Sequence, residues 1–484
     1  MDITSFENQH VLVIGDIILE KYWFGQSSRI SPEAPVPVVH YSNSEYKLAG
    51  SANLVKNIKN FGAKVSFISL ILSTDKQLEE ENYPCVISEL NKQQIENLTL
   101  LPYLEKTSEY VRVFAQDHQL INIDNNKKQY LNNTQKKKFL ESIEQILQED
   151  NSINKIILSD YGLGAIFDIQ SIISLSKEYN KEIFIDPYIN TKKSNLNYIT
   201  NCQGADYLVL NKNQVRQIEL EQEDAVGFIS NTLLAKALLV TEGKKGMKLF
   251  FNANYYDKPV IEQEALSNEL SDISGIGDVV SASFALSSNI HNYQDTLRLA
   301  NAACGSSVRK IGVSIVNIVE AQLGYADLYY DYAFNLLKQL QDIKAKKKDH
   351  KKIVFTNGCF DLFHIGHLTY LKKAKNEGDI LVIGVNSDES IRKLKGSSRP
   401  VNDLKARITV LRELEFVDYV LPFYEDTPCN LIENIKPDIL VKGTDYKESE
   451  IVGADIVKKY GGKVAIISHN HENISSSKII EQIS

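Results

Sequence analysis

At 484 residues the chain is too long for a single hydrophobic core, and two or three domains are expected. Its composition, 43% apolar and 24% charged with a net charge of −8, is that of an ordinary soluble protein and offers no basic surface for nucleic acid. No apolar run is long enough to span a bilayer, and Met1 to His10 lacks the basic-then-apolar layout of a signal peptide, so a cytoplasmic protein without membrane partners is expected. The cysteines at 85, 202, 304, 359 and 429 are scattered, odd in number and never in a C-x-x-C pair, which predicts reduced core residues and neither disulfides nor a zinc site.

In chain order, Val11-Leu-Val-Ile-Gly15-Asp16-Ile-Ile-Leu19 reads as a buried strand ending in Gly-Asp. Pro32-Glu-Ala-Pro35-Val-Pro37-Val-Val cannot be helical, because proline lacks the amide donor a helix needs, and is expected as a lid or edge strand. Leu48-Ala-Gly50-Ser-Ala-Asn53 opens a helix whose small residues admit a ligand. Strands follow at Lys155 to Asp160, Glu182 to Asp186, Tyr207 to Leu210 and Ala237 to Thr241, with helical stretches between most of them. This alternation predicts a layered α/β domain with a largely parallel sheet. Its chemistry is expected at Ser274-Gly275-Ile-Gly277-Asp278, ahead of a helix from Val279 to Leu286. Glycines at a helix start expose N–H groups to a phosphoryl group, and an Asp there accepts a proton from an attacking hydroxyl, although a plain helix cap has the same look.

Gln322 to Leu340 has the spacing of one long amphipathic helix. The charge run Lys344-Ala-Lys-Lys-Lys-Asp-His-Lys-Lys352 after it reads as a solvated connector, so domains over 1–343 and 353–484 joined by a linker at 344–352 are expected.

Past the connector, Ile353 to Thr356 is a short strand, Asn357-Gly358 breaks it, and Leu368 to Lys375 has helical spacing. His364 and His367 therefore fall on the first turn of a helix, where unpaired N–H groups and the helix dipole draw anions and two imidazoles add donors. A lone His-x-x-His is otherwise a surface pair or two metal ligands. Further strands at Asp379 to Asn386, Val417 to Leu421, Asp438 to Val441 and Lys463 to Ile467 alternate with helices at Leu404 to Glu413, Asn430 to Ile435 and Ser475 to Ile483. That is a Rossmann-like, doubly wound sheet with ligands expected at the strands' carboxyl ends. Polar clusters fall at those ends: Asn386-Ser-Asp388, Lys395-Gly-Ser-Ser-Arg399, Arg407, Lys442-Gly-Thr-Asp445 and Ser475-Ser476-Ser477.

Through Gly15-Asp16, Tyr22-Trp-Phe-Gly25, Ser28-Arg-Ile-Ser-Pro-Glu-Ala-Pro-Val-Pro-Val38 and Gly275-x-Gly277-Asp278, the N-terminal two-thirds resembles the ribokinase-like sugar kinases. More narrowly it is similar to the kinase half of the bifunctional heptose 7-phosphate kinase / heptose 1-phosphate adenylyltransferase family of lipopolysaccharide-core synthesis. The resemblance implies a ribokinase-like domain with a β-lid, Asp278 as the base for the sugar's anomeric hydroxyl, and an anion hole from the N–H groups of Gly275 to Gly277. It also implies sugar contacts from Asp16, Glu20 and Asn53, a phosphate contact from Arg112, and ATP near Asn211 and Thr241. Through His364-Ile-Gly-His367, Leu394-Lys-Gly-x-x-Arg-Pro-Val401, Glu425-Asp-Thr-Pro428 and Val441-Lys-Gly-x-Asp-Tyr446, the last third resembles cytidylyltransferase-type nucleotidyltransferases, and closely the adenylyltransferase half of the same family.

That second resemblance implies in-line attack of a heptose 1-phosphate on the α-phosphorus of ATP, with magnesium, and His364 and His367 bonding the α-phosphate. Phe360, Asp361, Lys395, Arg399, Lys442, Ser475, Ser476 and Ser477 would hold nucleotide and phosphates, while Asn386, Asp388 and Arg407 would meet nucleotide or sugar phosphate. Heptose phosphates and ATP are the implied partners, a homodimer is expected, and no protein residue is assigned as a metal ligand. Where the kinase family usually carries lysine, this chain has Tyr110, Leu163 and Tyr188; the magnesium-associated Asn-x-x-Glu reads Asn211-Lys-Asn-Gln214, and one glycine of a pair is Ala49. A lost charged contact to phosphate costs about 1.5–3 kcal/mol. A second reading follows, in which only the adenylyltransferase works and the N-terminal domain is a degenerate kinase kept for sugar-phosphate binding or dimerisation. Class I aminoacyl-tRNA synthetases share His-Ile-Gly-His, but their lysine-rich second signature and a basic tRNA-binding region are missing here.

Overall fold

A computed structural model describes residues 3–77, 83–116, 118–189, 195–233, 236–252, 260–266, 275–288, 292–307, 315–329, 335–444 and 450–467. These residues divide into two compact units, Phe6–Asn317 and a second made of the residues from Ile318 onward together with those before Phe6.

In the first unit the described strands build a nine-stranded sheet. Its order is Val260–Gln263, Met247–Phe251, Ala237–Thr241, Tyr207–Asn211, Glu182–Asp186, Lys155–Ser159, His10–Gly15, Lys64–Leu72 and Asn97–Leu104. From Asn97–Leu104 to Ala237–Thr241 every pairing is parallel, and the two strands beyond are antiparallel. The central strands His10–Gly15 and Lys155–Ser159 are buried at every residue, as strands covered by helices on both faces are, and they are apolar but for His10, Lys155 and Ser159. A four-stranded sheet, Pro37–Gly50, Ile17–Ile30, Glu109–Ala115 and His118–Asp124, forms the lid. The proline-stiffened stretch bends over 32–36 and enters its strand at Pro37, as its missing amide donors require.

The second unit holds a five-stranded parallel sheet in the order Tyr419–Phe423, Ile380–Asn386, Ile353–Gly358, Ile439–Gly443 and Lys463–Ile467. The first strand in sequence, Ile353–Gly358, thus sits between the second and the fourth. That is the doubly wound switch point, where the connections leave in opposite directions and open a crevice at the strand ends.

Two expectations change. The stretch 322–340 is not one helix: helices run over Ile318–Tyr329 and Leu336–Lys348, and Asn335 between them is left-handed at φ 48°. The Asp327 carboxylate accepts from the N–H groups of Leu336 and Leu337 at 2.6 and 3.0 Å, which starts the second helix. The division also falls at 317/318 and not at 344–352. Val319, Leu323, Ala326, Leu336, Leu340 and Ile343 pack into the same core as Phe355, Val382 and Phe423, so both helices belong to the second unit. Much of the lysine run is helix, with Lys346, Lys347 and Lys348 in a last turn that favours cations, and Lys347 pairs with Asp438 at 3.1 Å. The expected helix at Ser475 to Ile483 lies outside the described residues. Among the described residues no helix is long and apolar enough to cross a membrane.

Asp327→Ala leaves two buried N–H groups without their acceptor. It is expected to lower stability by about 1–2 kcal/mol, read as a fall in the urea midpoint of the full-length protein.

Candidate functional sites

Each unit carries one site, built at the carboxyl ends of its parallel strands.

In the first unit Gly275 adopts the left-handed conformation at φ 73° and caps the helix Ile276–Ser287, which places Asp278 in its first turn. Asp278 is 2% exposed, and both of its oxygens are bonded: Oδ2 accepts from Asn53 Nδ2 at 2.7 Å and Oδ1 from the Tyr161 hydroxyl at 2.7 Å. Burial raises its pKa to about 6, with the nearby Glu20 charge adding to the rise and the two hydrogen bonds opposing it. Asp186 closes the neighbouring strand, accepts from Ser281 Oγ at 3.1 Å, and is pushed to about 7 by burial and by the charge of Asp278. Its carboxylate lies 4.0 Å from where a side chain on Gly277 would begin.

A cavity of about 390 Å³ opens at the same helix start. Asn211, Thr241, Gly277 and Asn301 line it with Leu266 and Cys304. Asn211 and Thr241 are therefore brought to the Gly-x-Gly-Asp turn as the sequence suggests. Asn211 Oδ1 also accepts from the N–H groups of Asn213 and Gln214, both at 3.0 Å, and Gln214 answers as acceptor to the Asn211 N–H at 2.7 Å. Gln214 Nε2 donates to Pro187 O at 2.8 Å, a bond for which a glutamate has no donor.

The sugar-contact residues are more tied up than the sequence implies. Asp16 accepts from the N–H groups of Tyr161 and Leu163 at 3.1 Å and of Ala165 at 2.9 Å, so it anchors the loop 161–165. Burial nonetheless raises its pKa, against those bonds. Arg112 forks onto Glu20 through Nε at 3.2 Å and Nη2 at 3.1 Å, and the Tyr22 hydroxyl bonds the same carboxylate. The positions where lysines were expected come together: Tyr110 and Leu163 pack with Tyr161 against Ile18 and Ala49, while the Tyr188 ring covers Gly162. Sequence reasoning missed Tyr161, Asp186 and Asp160, the last pushed to about 7 by burial and by Asp16. The available signal was the polar end of two apolar strands, Ser159-Asp160-Tyr161 and Asp186-Pro187.

In the second unit His364 caps the helix Ile365–Lys375 and His367 is its third residue. The His367 Nδ1 accepts from the His364 N–H at 3.4 Å, and the two rings stack with centroids 3.9 Å apart. Phe360, left-handed at φ 49° and buried, lies 5.4 Å from the His367 ring and covers Gly358. Asp361 accepts from Arg399 Nε at 2.6 Å and from the N–H groups of Val401 and Asn402 at 2.8 and 3.0 Å. Burial works to raise its pKa, but the donors from Asn402 and Arg399 prevail and hold it below the ordinary value. Arg407, with its side chain fully buried, ties three segments together. It donates to Cys359 O at 2.7 Å, to Asn402 O at 3.0 Å and to Asp388 Oδ1 at 2.7 Å.

Asn386 is buried and donates to Ser390 Oγ at 3.1 Å. Lys442 donates to Asn357 O at 3.2 Å across the switch point, and burial lowers its pKa to about 8. Lys395 is exposed at the end of the helix Asp388–Lys395. Asp445, Ser475, Ser476 and Ser477 lie outside the described residues. Lys442 and the turn of Phe360, His364 and His367 thus lie at the carboxyl ends of the strands flanking the switch point, while Asp361, Arg399, Asp388 and Arg407 brace the loops there.

A cytidylyltransferase-like family model matches residues 355–482. The whole chain is similar to the bifunctional protein HldE of Haemophilus influenzae (strain PittGG), with 36% identity over 491 residues, 99% of this chain and 98% of that protein. It is likewise similar to the bifunctional protein HldE of Coxiella burnetii (strain Dugway 5J108-111), 34% identical over 496 residues, with 100% and 99% covered. Among solved structures, phosphofructokinase-2 from Escherichia coli in complex with substrates and products matches with TM-score 0.51 at 13% identity, over 66% of this chain and 99% of that one. This likeness bears on the fold alone, and it gives the N-terminal part the ribokinase-type kinase fold expected from the sequence.

Arg407→Met strips Asp388 and two carbonyls of their donor. Leaving these part-buried acceptors without a donor costs about 1–3 kcal/mol, and the expected result is a matching fall in the denaturation midpoint of the second unit.

Proposed function

The chain belongs to the bifunctional HldE family, and from that premise we propose that it serves ADP-heptose synthesis with two activities. The first unit transfers the γ-phosphoryl group of ATP to the anomeric hydroxyl of D-glycero-β-D-manno-heptose 7-phosphate. The second joins heptose 1-phosphate to the adenylyl group of ATP and releases pyrophosphate. The product of the first step, a 1,7-bisphosphate, differs from the acceptor of the second by the 7-phosphate, so a separate phosphoester hydrolysis stands between the steps. ATP and lipopolysaccharide-core precursors put the work in the cytoplasm.

What carries this reading is that each unit keeps its reactive group oriented in a chain similar to HldE proteins from end to end. Asp278 takes the proton of the attacking hydroxyl, and the N–H groups at the start of its helix meet the transferring phosphoryl group. The degenerate-kinase alternative is disfavoured for the same reason. Magnesium would enter with the phosphates of ATP. Asp186, a buried carboxylate beside Gly277, would hold it in the first unit, where the ion supplies charge neutralisation for phosphoryl transfer. In the second unit His364 and His367 donate to the α-phosphate as charge builds on it, with Lys442 as the nearby cation.

A homodimer through the lid fits the same reading. Trp23, Val113 and Ile121 are direct cross-strand neighbours on one face of the lid, with Trp23 40% and Ile121 53% exposed. The opposite face holds Tyr22, Phe24 and Phe114 in mutual ring contact beside Glu20 and Arg112.

With ATP and either heptose phosphate, ADP and pyrophosphate are to be followed separately. Asp278→Asn is expected to lower ADP formation roughly 10²- to 10⁴-fold and to spare pyrophosphate release; His364→Ala and His367→Ala are expected to do the reverse. The base works ionised, so kcat for phosphorylation should rise with pH through about 6 and level above it. A double Trp23→Asp, Ile121→Asp protein is expected to be a monomer by light scattering where the parent is a dimer.

A further inference from the structure

We propose that Tyr161 is a positioning residue for the kinase base: its hydroxyl, held in place by the Asp16-anchored loop 161–165, fixes the plane of the Asp278 carboxylate together with Asn53. The inference rests on the reading of Asp278 as that base and adds to it a residue that sets when the base is ionised and how it faces the sugar.

The geometry is specific. One donor meets each oxygen of Asp278, Tyr161 on Oδ1 and Asn53 on Oδ2, both at 2.7 Å. A carboxylate oxygen accepts along two directions, so each keeps one open for a sugar hydroxyl while rotation of the group is blocked. Burial and the surrounding carboxylates hold the Tyr161 pKa well above the ordinary phenol value, so it remains a donor at any working pH. Its backbone is fixed independently of Asp278. The loop turns through Gly162 at φ 74° and Gly164 at φ 129°, and three of its N–H groups converge on Asp16. The Tyr161 ring packs with Tyr110 and Leu163 against Ile18 and Ala49. A phenylalanine would keep that packing and remove only the hydroxyl.

The charged groups that face Asp278 come from two further elements. Glu20, on the lid strand, is itself forked to Arg112, and Asp186 ends the adjoining strand beside Ser281. The Glu20 charge favours the protonated base; the Tyr161 bond favours the ionised one. Loss of that bond therefore raises the pKa of the base and moves the acid limb of the reaction upward.

The test uses the full-length chain and its Tyr161→Phe variant, with pyrophosphate release from heptose 1-phosphate as the control for an intact protein. The expected result is an acid limb of kcat for ADP formation displaced upward by about one pH unit, and a loss of about fivefold at pH 6, with the KM for ATP unchanged. An acid limb that stays in place overturns the proposal. If the parent chain releases pyrophosphate but forms no ADP, the kinase reading itself fails. The positioning role is then read without turnover, from the carboxyl titration of Asp278 by ¹³C NMR against an Asp278→Asn reference. A titration that rises in Tyr161→Phe supports the role; an unmoved one overturns it.

Discussion

A carboxylate buried near the carboxyl end of a parallel strand has to be met by donors, since an unpaired charge there would cost several kcal/mol. That requirement shapes both units. Asp16 gathers three N–H groups of the loop 161–165, and Asp361 gathers Arg399 with the N–H groups of Val401 and Asn402. In each case the loop so captured carries or braces a reactive group. Tyr161 reaches Asp278 from the first loop, and Arg407 grips the second through Asn402 O while holding Cys359 O beside the histidine turn.

The two sites treat charge in opposite ways. In the first, Asp16, Asp160, Asp186 and Asp278 share one end of the sheet; burial raises the proton affinity of each, and the charges of neighbouring carboxylates add to it for Asp160, Asp186 and Asp278. Arg112 is committed to Glu20 there. Such a site is matched to a base that works near neutral pH and to a nucleotide that brings its own cation. In the second, the carboxylates are paired with Arg399 and Arg407, which leaves imidazoles and a lysine whose own pKa is lowered to about 8 toward the crevice. That arrangement suits a step in which negative charge builds on a phosphate and no proton has to be taken from the acceptor.

The departures at Tyr110, Leu163 and Tyr188 look independent along the chain, where 53 and then 25 residues separate them. Folded, they are parts of one change, because Tyr110 and Leu163 enter one apolar cluster with Tyr161 while Tyr188 lies on the glycine between Tyr161 and Leu163. Gln214 is likewise integrated, using its amide both to accept from Asn211 and to donate to Pro187. Replacement by residues that pack and bond together is different from erosion, and it leaves the base with both of its donors.

The strand segments, the proline-stiffened lid stretch, the helix starts and the candidates Asp278, His364 and His367 were legible in the sequence because each rests on local chemistry. Apolar runs of strand length, prolines without amide donors, and glycines ahead of a helix act within a few residues of one another. The functions followed from motifs of the same short range. Only the tertiary structure decided what those residues touch. It gave Asp16, Asp361 and Arg407 to loop anchoring, paired Arg112 with Glu20, brought Tyr161 to Asp278 across 117 positions, and moved two helices into the second core. The physical reason is the same each time. A buried polar group takes whichever donor the fold brings within 3 Å or so, and that partner is set by sheet order and loop closure, which no local pattern encodes.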